Sequence, residues 1–76
     1  MPHVVIKMLR GRSEETKKQL AQAITHSLMS IAGVGEDSVS VATEDVEAAD
    51  WTEQVYKPDI AAKRDTLYKQ PGYKPT

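Results

Sequence analysis

The sequence predicts an α/β (α+β) fold: one β-α-β unit with a C-terminal helix, its two-stranded sheet completed by another copy of the chain. Three observations lead there. Residues 3–9 form a short apolar run of period two, and residues 38–43 form another. Between them Leu20, Ile24, Leu28 and Ile31 recur at helical spacing. The chain has 76 residues and no cysteine. A chain of this size buries only about 60% of its unfolded surface. With no disulfide to staple it, association with another copy is the remaining support.

Each element has its own local reason. In HVVIKML, Val4, Ile6 and Met8 fall on one face, and Val5 and Leu9 fall with His3 and Lys7 on the other. Gly11 ends that strand. Ser13 is a good N-cap, and Glu14 and Glu15 sit in the first turn, where the helix dipole favours acids. The helix runs to about Ala32, with Gly33 as its C′ residue. Gly33-Val34-Gly35 follows a helix instead of a strand, so it reads as a cap and turn and not a dinucleotide loop. In SVSVAT, Val39 and Val41 lie opposite Ser38, Ser40 and Ala42. Residues 44–53 are expected to begin as an acidic loop, with Asp50 capping a short turn that carries Trp51. Pro58 and Asp59 are expected to open a second helix through Ile60, Ala61, Arg64, Leu67 and Tyr68, ending before Pro71-Gly72. A helical crossover between two strands makes them parallel. Residues 1–76 form one domain, with a mobile tail at about 72–76.

Composition excludes several classes. The chain is 39% hydrophobic and 28% charged, with net charge −1. That is neither the profile of a disordered chain nor that of a dedicated nucleic-acid binder. No apolar run approaches a membrane span, and the first residues mix charge into their apolar stretch, unlike a signal peptide. A cytoplasmic location is the default expectation. His3 and His26 lack partners at metal-ligand spacing, so neither a metal nor another cofactor is expected. The charges are segregated. Lys7, Arg10, Arg12, Lys17 and Lys18 dominate the start, while Glu36, Asp37, Glu44, Asp45, Glu47, Asp50 and Glu53 follow without a base among them. This pattern fits complementarity or solubility as well as it fits a basic entrance for an anionic small molecule.

Pro2 is the sharpest candidate for chemistry. Removal of Met1 would leave a secondary amine held in a ring. An α-amino group titrates near neutrality, and burial beside a cation lowers it further. Such a nitrogen is a base able to move a proton between carbon and oxygen. A Met-Pro start is common, but here Pro2 leads straight into a strand. That strand ends in Arg10-Gly11-Arg12-Ser13-Glu14-Glu15, and a helix follows.

This arrangement resembles the 4-oxalocrotonate tautomerase family of short N-terminal-proline tautomerases. The likeness covers roughly residues 2–55, and the tail resembles the longer bacterial members. The resemblance implies a β-α-β fold and keto–enol tautomerisation of a 2-oxo acid or its enol. It implies Pro2 as the catalytic acid/base, Arg12 on the substrate carboxylate and Trp51 lining the pocket. Ser40 falls where members acting on diacids carry a second arginine. A hydroxyl does not fork a carboxylate as guanidinium does, which favours a monoacid such as phenylenolpyruvate. The resemblance also favours a homodimer over a hexamer, with the helices on one face of a four-stranded sheet.

Blander readings stand beside these. Arg12 is equally a solvated residue near a helix start, and Arg10 is an alternative carboxylate ligand. Trp51 fits a core or an interface, and Ser40 a plain strand position. Tyr56, Tyr68 and Tyr73 fit pocket, core or surface. Glu44 and Asp45 fit solvated acids, and His26 the polar side of the helix. His3 adjoins Pro2 closely enough to touch the site. The competing function class is a catalytically silent homo-oligomeric or small-ligand-binding protein on the same fold.

Overall fold

A computed structural model describes residues 1–75. Strand β1 spans His3–Leu9, helix α1 spans Glu14–Ala32 and strand β2 spans Ser40–Val46. Helix α2 spans Thr52–Ala61. Short turns at Glu36–Ser38, Ala48–Asp50 and Arg64–Thr66 link and follow these elements.

The two strands pair in parallel, from His3 against Ser40 to Leu9 against Val46. The cap residues act as their chemistry dictates. Ser13 Oγ accepts the Thr16 amide at 3.1 Å. Gly33 adopts the left-handed φ of 72° and donates its N–H to the Met29 carbonyl, a conformation that costs a residue with a Cβ.

Three local expectations are corrected. The second strand is not 38–43 but Ser40–Val46. Ser38 closes the preceding turn, and the ladder extends through Glu44 and Asp45 to match all seven residues of β1. The acids are tolerated because Asp45 accepts from Lys17 of α1 at 3.0 Å, while Val46 is buried. The second helix begins before Pro58 and ends at Ala61, leaving Leu67 and Tyr68 beyond it. Asp50 lies inside the turn before it, with no side-chain cap bond made there. Pro58 sits within α2, which is wound as a wide π-helix in which Ala62 donates to the Lys57 carbonyl at 3.0 Å. An α-helix would drive the proline ring into the carbonyl four residues back, and the wider turn relieves that clash.

A further correction concerns the layers. Paired residues of parallel strands point the same way, so Met8 and Asp45 share one face while Lys7 and Glu44 share the other. Lys17 of α1 bonds Asp45, and Asp59 of α2 bonds Lys7. The two helices therefore lie on opposite faces of the sheet, not on one.

Burial in the single chain is sparse. Among the described residues only Val46, Val55 and Tyr56 are buried, and α1 contributes none. The apolar residues of β1 are at best half-buried, and Val5 and Leu9 are each 42% exposed. A two-stranded sheet is marginal by itself, and both strands here keep an open edge.

Candidate active site

Pro2 precedes β1 and enters the sheet through its carbonyl, which accepts the Ser40 amide at 3.2 Å. A proline has no N–H to give a ladder, so the start of a strand is where it fits. The residue is half-buried. Beside it, His3 Nδ1 and Ser40 Oγ lie 2.6 Å apart. Pro2, His3 and Ser40 thus form one cluster at the start of the two strands.

Arg12 and Trp51 belong to the other end. Seven residues of β1 separate them from Pro2, roughly 23 Å at about 3.3 Å per residue. Arg12 is exposed, and its Nη1 donates to the Leu9 carbonyl at 3.2 Å. Gly11 makes the approach possible with φ of 129°, a value rarely open to other residues. Arg10 takes a different course and pairs through Nε with Glu47 at 2.9 Å. Trp51 is half-buried where the Ala48–Asp50 turn meets α2. It lines an open cleft of about 340 Å³ together with Leu9, Ala48, Thr52, Tyr73, Lys74 and Pro75. The wall is largely apolar, with Lys74 as its cation.

The segregated charges largely neutralise one another inside the chain. Lys7 pairs with Asp59, Arg10 with Glu47, and Lys17 with Asp45 and Glu14. Among the described residues, Arg12 and Lys18 pair with no carboxylate. The hydrogen bond that Lys7 donates to Asp59 raises its ammonium above its ordinary 10.5. The bond that Lys17 donates to Asp45 does the same to Lys17.

Within the segment expected as a mobile tail, the Tyr73 hydroxyl accepts the Trp51 Nε1–H at 2.9 Å, and its ring lies 5.8 Å from that of Tyr56. Thr76, the last residue of that expected tail, lies outside the described residues. The part of the cleft built by 73–75 was not legible in sequence. Its one signal was an isolated aromatic in a polar segment.

A sequence model described as "Tautomerase enzyme" matches residues 2–55. A probable tautomerase of Xylella fastidiosa is 44% identical over 73 residues, covering 96% of this chain and 89% of that one. Tautomerase PptA of Pectobacterium carotovorum is 40% identical over 74 residues, covering 96% and 97% respectively. The crystal structure of YwhB, a homologue of 4-oxalocrotonate tautomerase, superposes with a TM-score of 0.60 at 32% identity, over 62% of this chain and 77% of that one. The strand–helix–strand architecture and the extent of these matches agree, and the chain belongs to the tautomerase family of isomerases.

Proposed function

We propose that this tautomerase interconverts the enol and keto forms of a 2-oxo acid with one carboxylate, such as phenylenolpyruvate. Pro2 is its acid/base once Met1 is removed. The neutral proline nitrogen takes the enol hydroxyl proton, the O–H electrons form the C=O, and the C=C π electrons take the proton back from the protonated nitrogen to make the new C–H bond. Arg12 holds the carboxylate through its guanidinium. Trp51 supplies an apolar wall that excludes water. Ser40 stays in the proposed site as the neighbour of Pro2, its hydroxyl engaged with His3. No redox group or other cofactor enters this proton transfer.

The observation that carries the reading is the division of the site between the two ends of β1. Pro2 sits at the start, while the Trp51 cleft, and Arg12 bonded to the backbone of its lining residue Leu9, sit at the finish, and β1 keeps an open edge. Two copies that join their β1 edges under two-fold symmetry run antiparallel. The start of one strand then meets the end of the other. Pro2 of one chain faces the cleft of its partner, and two complete sites result. The joined sheet has four strands, which also meets the need for burial that one chain leaves unmet. A cytoplasmic location is part of the same reading.

Of the two arginines, Arg12 is the better ligand because Arg10 already holds Glu47. Two measurements test the proposal together. Intact-mass spectrometry is expected to show a chain that begins at Pro2. A tautomerase assay on a panel of enols is expected to favour phenylenolpyruvate over 2-hydroxymuconate. A fully Met-bearing native chain would overturn the mechanism, because its proline nitrogen is an amide. A free Pro2 with no turnover of any enol would support the silent binding protein instead.

A further inference from the structure

The geometry points to Tyr73 as a positioning residue for Trp51, one that sets how tightly the substrate's non-reacting end is held. This inference rests on the proposed tautomerase site and adds a residue to it. The indole N–H of Trp51 donates to Tyr73 Oη at 2.9 Å. Both side chains line the same cleft. The bond fixes which way the indole plane faces, since a tryptophan in a half-buried wall turns to satisfy its N–H.

Tyr73 is itself held from behind. Its ring meets that of buried Tyr56 at 5.8 Å and 57°, a tilted aromatic pair. The Tyr56 hydroxyl accepts from Arg64 Nη2 at 3.3 Å, and Arg64 Nη1 donates to Gln70 Oε1 at 3.1 Å. Arg64 thus ties α2's buried tyrosine to the segment leading into Tyr73. The support runs from Arg64 through Tyr56 and Tyr73 to Trp51. Tyr73 remains 46% exposed, so its removal disturbs little of the core.

The consequence for kinetics is specific. Tyr73 acts on the wall against the part of the substrate that does not react. Losing the bond weakens ground state and transition state alike, which raises KM and leaves kcat nearly unchanged. The range of one neutral hydrogen bond corresponds to about two- to tenfold in KM.

The test compares wild type, Tyr73→Phe, Trp51→Phe and the double variant, with phenylenolpyruvate as substrate. Trp51 is the only tryptophan, so its emission and its quenching by acrylamide report the indole directly. Tyr73→Phe keeps the ring on Tyr56 and removes only the acceptor. It is expected to raise KM about two- to tenfold, leave kcat within about twofold, and make Trp51 more accessible to quencher. In the Trp51→Phe background, Tyr73→Phe is expected to change nothing further, because the bond is already gone. An unchanged KM and unchanged quenching in Tyr73→Phe would overturn the proposal. So would an equal KM increase in both backgrounds. A chain with Pro2 blocked serves as the control for the underlying function. Full activity there would remove Pro2 from the mechanism, and no turnover by the unblocked chain would show that the tautomerase reading itself is wrong. Loss of activity in that control with no Tyr73 effect would overturn this inference alone.

Discussion

Ser40 donates its backbone N–H to the carbonyl of Pro2 at 3.2 Å. The bond anchors the residue before β1 to the first residue of β2. The Pro2 ring is thereby held at a fixed point of the sheet while its nitrogen takes no part in the ladder. Under the proposed mechanism, loss of Met1 frees that nitrogen while the ring keeps its position, as an acid/base group needs.

An N-terminal extension that prevents exposure of the Pro2 nitrogen is expected to lower kcat by about 100-fold or more, the scale of a lost general acid/base. Circular dichroism is expected to show the same fold. Steady-state assay of the extended chain checks this, and retained turnover would remove Pro2 from the mechanism.

Arg12→Ala is expected to raise KM for phenylenolpyruvate by about 10- to 100-fold, as loss of a charge-assisted bond to a carboxylate does. Arg10→Ala is expected to change KM by less than about threefold, because the proposed site takes the carboxylate on Arg12 and leaves Arg10 with Glu47. The same assay on both variants separates the two arginines, and the reverse order would reassign the carboxylate to Arg10.

Sedimentation at micromolar concentration is expected to give twice the chain mass. Mixing Pro2-blocked chains with Arg12→Ala chains is a sharper check. If each site takes its proline and arginine from different chains, hybrid dimers hold one intact site, and an equal mixture recovers about a quarter of wild-type activity. No recovery from subunits shown to exchange would place both residues in one chain.

Stability is expected to fall at high pH. Lys7 and Lys17 are raised above their ordinary 10.5 by Asp59 and Asp45. A raised lysine contributes its full stabilisation below the unfolded value of 10.5 and loses it as pH climbs through the higher folded value. Melting temperature followed from pH 8 upward is expected to stay level and then decline above about 10.5. In Lys7→Met the decline is expected to be shallower. An equal decline would show that the Lys7–Asp59 pair adds nothing.

Gly33→Ala is expected to destabilise the fold by about 1 kcal/mol, because the αL conformation places a Cβ against the backbone. The space around Gly33 is open, so strain and not a clash is responsible. Urea unfolding measures it, and no change in midpoint would refute the αL argument.

Much of this protein was legible in its sequence because the signals are local. Period-two runs marked two strands, helical spacing with Ser13 and Gly33 bounded α1, and the crossover made the strands parallel. Pro2 at a strand start and the Arg10–Glu15 segment pointed to the family. What the tertiary structure decided was everything that depends on a partner distant in the chain. β2 runs on to Val46 because β1 offers seven residues to pair and Lys17 compensates Asp45. α2 encloses Pro58 because Val55 and Tyr56, before the proline, are the residues it buries. α1 and α2 take opposite faces through Lys17–Asp45 and Lys7–Asp59, contacts that no window of sequence contains. Tyr73 is held by Trp51, twenty-two residues earlier. The proposed partition of the site has the same origin: an extended strand keeps Pro2 and Arg12 apart, and only another chain running the opposite way brings such ends together.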